Sequence, residues 1–262
     1  MIGRQNLTDY YNRHEHPIGE EVFRVENLTQ EKKFQNVSFH LNKGEILGFY
    51  GLVGAGRTEV MEAIFGATKL QGGKIFLHGE EVHFSKPAEA IAKRIGFVTE
   101  DRRRTGLLLA KPICENIGLP SLTAHANRGV VNEKWENEVS EEYKEKLHIK
   151  APSIKTITST LSGGNQQKII LAKWLAADSE ILILDEPTRG IDVNAKSEFY
   201  SLMYNFVESG GSIIMISSEM PEIIGIADRV YVMKEGEIRG ELMADELSEA
   251  SLIANASIKS ET

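Results

Sequence analysis

Three short stretches carry residue types that can handle phosphate. The first is Gly51-Leu52-Val53-Gly54-Ala55-Gly56-Arg57-Thr58. It follows an apolar run and precedes a helical pattern, the context of the phosphate-loop pattern G-x-x-x-x-G-K-[ST]. Glycines let backbone N–H groups converge on phosphate oxygens, and a helix N-terminus adds the positive end of its dipole. Thr58 is placed to ligate Mg²⁺. Arg57 stands where the pattern has Lys, and its longer, planar guanidinium is not a neutral exchange. The second stretch, Ile181-Leu182-Ile183-Leu184-Asp185-Glu186, is an apolar run closed by two carboxylates. At the end of a buried strand, Asp185 is positioned to hold Mg²⁺ through water. Glu186 is positioned to orient or deprotonate an attacking water. The third, Leu161-Ser162-Gly163-Gly164-Asn165-Gln166-Gln167-Lys168, opens a helical pattern upstream of the acid pair. Its Ser-Gly-Gly offers N–H groups and a hydroxyl to an anion. Singly these read as a strand–helix turn, a solvated acidic turn and a helix cap. Together they point to phosphoryl chemistry.

The elements around them read as follows. Val37, Phe39 and Leu41 alternate with polar residues, as in a half-buried strand. The run 45–50 is a more apolar strand ending at Gly51, and a helix follows over Thr58–Phe65, closed by Gly66. Residues 74–77 form a strand entering the turn at His78-Gly79, and 94–100 another entering the charged turn Glu100-Asp101-Arg102-Arg103-Arg104, read as solvated. From 107 to 160 β-branched runs are few. A helix near 132–147 places Trp135, Val139, Tyr143 and Leu147 on one apolar stripe. Residues 181–184 are a strand, Asp192 caps a helix over 193–208 that stops at Gly210-Gly211, and 212–217 is a strand followed by a short helix. A strand at 229–233 turns at Lys234-Glu235-Gly236. Such alternation predicts a parallel α/β sheet covered on both faces.

In this order and spacing the three stretches resemble the nucleotide-binding cassettes of ABC proteins. Residues 51–59, 99–102, 161–168, 184–193 and 216–222 look like the second cassette of monosaccharide importer ATPases of the ribose/galactose/xylose type, in which two cassettes share one polypeptide. The resemblance implies a P-loop NTPase fold with a parallel-sheet core, an antiparallel β subdomain and a helical subdomain at about 107–165. Met1-Ile2-Gly3-Arg4 resembles the stretch joining the two halves. Residues 1–20 are therefore expected to be a linker from a preceding cassette, 21–245 the nucleotide-binding domain and 246–262 a C-terminal tail. The resemblance also implies that Gly51, Gly54, Ala55, Gly56, Arg57, Thr58 and Glu59 bind ATP, that Thr58 and Asp185 hold Mg²⁺, and that Asp185 and Glu186 are catalytic. Leu161, Ser162, Gly163, Gly164, Asn165 and Gln166 match the signature that binds the γ-phosphate held by the partner cassette. Asp192 matches the D-loop Asp. The implied partners are the N-terminal cassette of the same protein, membrane permease subunits and, indirectly, a periplasmic or extracellular solute-binding protein. The implied place is the cytoplasmic face of the cell membrane.

Four positions depart from that pattern. Glu100 occupies the Q-loop Gln position, Ser218 the switch-His position and Arg57 the phosphate-loop Lys position. The stretch Thr29–Lys33 lacks the aromatic that stacks on adenine, and Phe34 fits core packing with Val37, Phe39 and Leu41. All four fall on one nucleotide site. The expectation is a degenerate phosphate loop that binds MgATP but hydrolyses it poorly, beside an intact signature that completes the other cassette's site. The alternatives are a non-catalytic nucleotide-sensing or dimerisation module, and an importer of another small solute such as an autoinducer or nucleoside. The family also implies that the segment after Glu100 meets the membrane subunit, with Leu107-Leu108-Leu109 and Ile113-Cys114 forming an apolar docking surface; Cys114 itself reads as a small packing residue.

Composition narrows the field. The chain has 262 residues, 41% hydrophobic and 26% charged, which suits a globular protein and excludes disordered and collagenous classes. A net charge of −8 argues against a general nucleic-acid binder, so no nucleic-acid partner is expected, and a soluble ABC protein acting on ribosomes or DNA is the weakest reading. One cysteine excludes an intrachain disulfide and suits a reducing compartment. The start has no apolar core of a signal peptide, and the apolar runs are far shorter than the ~20 residues that span a bilayer.

Overall fold

The computed structural model describes residues 11, 16–126 and 128–257. The Met1–Arg4 stretch read as a joining segment lies outside the described residues.

Two sheets carry the fold. The first is antiparallel, in the order β2-β1-β4-β5, built from β1 (Glu21–Gln30), β2 (Phe34–Asn42), β4 (Gly72–Leu77) and β5 (Glu80–Val82). Its alternating strands bury Val37, Phe39 and Leu41 on one face, as the period of two requires. Phe34 is 3% exposed and belongs to this core. The second sheet runs β10-β9-β3-β8-β7-β6. It contains β3 (Ile46–Tyr50), β6 (Ile95–Val98), β7 (Ile181–Asp185), β8 (Ser212–Ile216), β9 (Arg229–Lys234) and β10 (Glu237–Met243). Strands β9, β3, β8, β7 and β6 pair in parallel, and β10 closes the edge antiparallel. Every residue of β3, β7 and β8 is buried, which is why these strands, save Asp185 and Ser212 at their ends, run apolar instead of alternating. Phe39 of the first sheet meets Phe49 of the second edge-on at 4.9 Å, locking the two together.

Helices follow the strands. They are α1 (Arg57–Ile64), α2 (Pro87–Ala92), α3 (Ile113–Gly118), α4 (Leu122–His125), α5 (Glu133–Lys146), α6 (Gly163–Ala176), α7 (Val193–Glu208), α8 (Met220–Ile226) and α9 (Glu249–Ser257). Helix α7 begins and ends as its sequence signals require: Asp192 accepts from the Ala195 N–H at 3.0 Å, and Gly210 takes a φ of +96° after its end. The parallel α/β architecture with an added antiparallel sheet and helices agrees with the fold class read from the sequence.

Several local expectations change. The strand read over 94–100 is only Ile95–Val98. The turn after it is a five-residue π-helical turn, Arg102–Gly106, whose start is capped by Asp101 accepting from the Arg103 and Arg104 N–H groups. Arg102 is half-buried there, so this turn is not simply solvated. On α5 Val139, Tyr143 and the following Leu147 pack against the core as the stripe requires, whereas Trp135 stacks on His125 at 3.8 Å, and the buried positions within the helix are Glu136 and Ser140. Glu136 is buried because α5 packs against α3, where it lies over Gly118. Residues 249–257, read as tail, form α9, which buries Leu252 against β9. Finally, Leu107, Ile113 and Cys114 are 7%, 0% and 0% exposed, so they are core and cannot make a docking surface; of this group Leu108 alone exceeds a third exposure. Cys114 fills a packing position, as its size suggests.

Candidate functional site

The C-terminal ends of β3, β7 and β8 meet at one point, where α/β sheets present ligand sites. The loop between β3 and α1 is shaped by close approach. A Cβ on Gly51 would lie 2.4 Å from the Met233 carbonyl oxygen. Gly54 and Gly56 take φ values of +82° and +94°, and Gly56 caps α1 with no side chain over its first N–H groups. Those groups lack intrahelical partners by geometry and face outward, the arrangement of an anion cradle. Ala55 is held in place by the Gly236 N–H donating to its carbonyl at 3.0 Å, while Leu52 and Val53 are 62% and 95% exposed. Glu59 lies in the first turn of α1.

Thr58 and Asp185, distant in sequence, meet here: Thr58 Oγ1 donates to Asp185 Oδ2 at 2.8 Å. Asp185 is 1% exposed, and its Oδ1 is buried without a hydrogen-bond partner. Burial pushes this carboxyl up to about 6, with the Thr58 bond opposing the shift. A buried, unmatched carboxylate oxygen beside a threonine hydroxyl suits a hard divalent cation such as Mg²⁺. Among the described residues no three His, Cys, Asp or Glu side chains converge for a metal. Thr58 and Asp185 would thus supply two oxygens, leaving the others to phosphate and water.

Glu186 follows at the end of β7 with a φ of +48°. Burial raises its pKa, against hydrogen bonds from Ser218 and the charge of Arg57. Ser218, which is exposed, therefore touches Glu186 directly. Arg57 is 8% exposed; its Nη1 donates to the Ser217 carbonyl at 2.9 Å, and its Nη2 lies 3.8 Å from Glu186 Oε1. The guanidinium is occupied with the backbone just after β8 and with Glu186.

Behind this, Glu222 was not singled out by its sequence context. It is 1% exposed, accepts from Thr188 Oγ1 at 2.8 Å and from Ser217 Oγ, and thus ties the turn after Glu186 to the strand before Ser218. Burial raises its pKa. The sequence signal was an acid four residues after Ser218 in a short helix, too common to single out.

Beside Gly54 a cavity of about 540 Å³ is lined largely by polar side chains, including Gln30, Lys32, Gln35, Gln71 and Glu235. Its one aromatic lining residue, Phe34, is committed to the core.

The third stretch lies elsewhere. Ser162 caps α6, accepting from the Asn165 side chain at 2.9 Å and from its N–H at 3.5 Å. Leu161 is half-buried, and Gln166 is buried, donating to the Leu161 carbonyl at 3.1 Å. Ser162, Gly164, Asn165 and Asp192 line one cavity of about 240 Å³, to which no residue of 51–59 contributes. A Cβ on Gly163 would stand 2.9 Å from Arg102 Nη2 and 3.2 Å from the Gly190 carbonyl oxygen. Glu100 pairs with the Arg189 guanidinium, a contact invisible in sequence. The structure thus joins Thr58, Asp185, Glu186, Arg57 and Ser218 in one place, and Ser162–Gln166 with Asp192 in another.

Comparison with known proteins places the family and the fold. Residues 34–189 match the family model described as ABC transporter. The chain is 47% identical over 256 residues to the ribose import ATP-binding protein RbsA of Bacillus cereus, covering 98% of this chain and 51% of that protein. It is 48% identical over 253 residues to the protein of the same name from Lactococcus lactis subsp. cremoris, covering 97% and 51%. The chain thus spans about half the length of the curated relatives it matches. Among solved structures, the ADP conformation of MJ1267, an ATP-binding cassette of an ABC transporter, superposes with a TM-score of 0.75 at 20% identity, covering 90% of this chain and 98% of that one. The dimeric post-hydrolysis state of the cassette MJ0796 bound to ADP and Pi gives 0.72 at 20% identity, covering 85% and 98%. At such identities the structures speak for the fold.

Proposed function

Because this chain belongs to the ABC transporter ATP-binding cassette family, we propose that it is the energy-coupling ATP-binding cassette of a monosaccharide importer, with ribose the first substrate to test. The observation carrying this reading is the bond between Thr58 and Asp185 under the glycine loop, with Glu186 alongside. ATP binds through the N–H groups of residues 54 and 56–58, the Ala55 N–H being committed to the Leu52 carbonyl at 3.0 Å. Thr58 and Asp185 would hold Mg²⁺, which when bound would neutralise phosphate charge. Glu186 orients the attacking water for in-line displacement, and the loop dipoles stabilise the developing charge.

In our reading this loop is the weaker of two sites. Arg57 is turned toward Ser217 and Glu186, and Ser218 stands at the switch position. The signature, in a cavity apart from its own phosphate loop, serves the ATP of another cassette. The relatives' double length supports an N-terminal cassette of the same polypeptide as that partner. Permease subunits complete the transporter, with a solute-binding protein acting through them. Its likeness to import ATP-binding proteins supports a peripheral place at the cytoplasmic membrane face; among the described residues no helix is long and apolar enough to cross a membrane.

The test is MgATP hydrolysis and ribose uptake by the full polypeptide assembled with its membrane subunits. Gly163→Asp drives a side chain into Arg102 and the Gly190 carbonyl, and should abolish uptake. Glu186→Gln should cost less. Equal losses would end the division of labour, and no ATP turnover in the wild-type assembly would end the functional reading itself.

A further inference from the structure

One guanidinium gathers three loops far apart in sequence. Arg102 Nη1 donates to the Arg189 carbonyl at 2.9 Å, and Nη2 reaches the Gly190 carbonyl at 3.5 Å. The same Nη2 faces Gly163 so closely that a Cβ there would sit 2.9 Å away. Glu100, two residues before, holds the Arg189 side chain. The segment 100–102 therefore grips 189–190 by both backbone and side chain, immediately before Asp192.

The mount of Arg102 is itself fixed. The Leu107 N–H donates to the Arg102 carbonyl at 2.9 Å, closing the π-helical turn. At the other end of that turn, Lys173 of α6 donates to the Gly106 carbonyl at 2.7 Å. The turn is thus anchored to the helix that Ser162-Gly163-Gly164 opens. A planar donor fork in a fixed mount holds two successive carbonyls in set directions, which the freely rotating ammonium of a lysine does not. Glycine at 163 is what admits it.

We propose that Arg102 is a positioning residue that sets Ser162-Gly163-Gly164 and the 189–192 loop against each other, so that both are offered together to the nucleotide of the other cassette. This rests on the reading above, in which those loops complete the partner's ATP site. Without Arg102 each loop keeps its own cap, Ser162 or Asp192, but loses its register to the other.

The test uses the full polypeptide assembled with its membrane subunits, wild type beside Arg102→Met, Arg102→Lys and Arg104→Met. MgATP hydrolysis gives kcat and KM. Hydrogen exchange without nucleotide compares amides at 163–166, 190–195 and 55–60. Arg102→Met should lower kcat tenfold or more and speed exchange at 163–166 and 190–195 together, leaving 55–60 unchanged. Arg102→Lys should restore part of kcat, and Arg104→Met should match wild type. The proposal is overturned if Arg102→Met keeps kcat within twofold, or if exchange rises equally at 55–60, which would mark general loosening. A wild-type assembly that hydrolyses no ATP would sink the functional reading, and this inference with it; a normal wild type with an unaffected variant sinks this inference alone.

Discussion

Arg57 Nη1 donates to the carbonyl oxygen of Ser217 at 2.9 Å, joining the first residue of α1 to the residue before Ser218 across 160 positions of sequence. Its second nitrogen faces Glu186. The charge at the start of α1 is therefore also a brace between the glycine loop, the acid pair and the end of β8.

Arg57→Ala removes that brace and leaves a carbonyl and a carboxylate without their cation. Charged hydrogen bonds of this kind carry about 1.5–3 kcal/mol. The urea unfolding midpoint should fall correspondingly with an unchanged m-value. An unmoved midpoint would show that the brace carries no stability.

Asp185 makes stability depend on pH. Its folded pKa of about 6 lies above the ordinary 3.8, so the folded state binds the proton more tightly than the unfolded chain. Stability falls as pH rises between those values and stays reduced at pH 7. Asp185→Asn should therefore stabilise the nucleotide-free protein at pH 7, by on the order of 2–3 kcal/mol, with the gain fading toward pH 4. Unfolding midpoints of both proteins across that range decide it; a gain independent of pH would exclude titration of Asp185 as the cause.

Lys173 behaves with the opposite slope. Burial lowers its pKa to about 8, so folding disfavours its charged form. This penalty is present at pH 7 and lessens as pH rises through 8 toward 10.5. Lys173→Met should compare best with wild type at pH 7, and its relative stability should decline by pH 10. Parallel stability curves from pH 7 to 10 would contradict this.

Gly51 and Gly54 should differ on substitution. Alanine at 51 meets backbone oxygen at 2.4 Å, whereas at 54 nothing lies within 4 Å and only the φ of +82° opposes it. Gly51→Ala is expected to cost about 1–3 kcal/mol from overpacking, and Gly54→Ala about 1–2 kcal/mol from the left-handed backbone. Gly51→Ala should also weaken MgATP binding more, measured by titration calorimetry. The reverse order would mean the loop relaxes away from Met233.

Much of the fold was legible in the chain because its causes are local. The apolar runs 46–50 and 181–184 announce buried parallel strands, and alternation at 37, 39 and 41 announces a half-covered one. Asp192 and Ser162 announce helix starts through the N–H groups just after them. Glycines 51, 54 and 56 announce a loop that only small residues can form.

The exceptions were residues whose surroundings come from elsewhere in the chain. Ile113 and Cys114 look like an apolar surface beside the charged turn, but α3 turns them into the core. Arg102, one of three successive arginines, looks solvated; carbonyls at 189 and 190 make it a brace.

The sequence by itself determined the order of elements and put Gly51–Thr58, Ser162–Gly164 and Asp185-Glu186 at the ends of strands and the starts of helices. Periodicity, caps and turn chemistry act over a few residues and can be read without a chain path. Only the tertiary structure decided that Arg57 faces Ser217, that Asp185 keeps one oxygen unmatched, and that Arg102 lies between Gly163 and Gly190. Those partners are set by how the sheet brings distant strand ends together, and directional hydrogen bonds between buried groups exist only once that packing is complete.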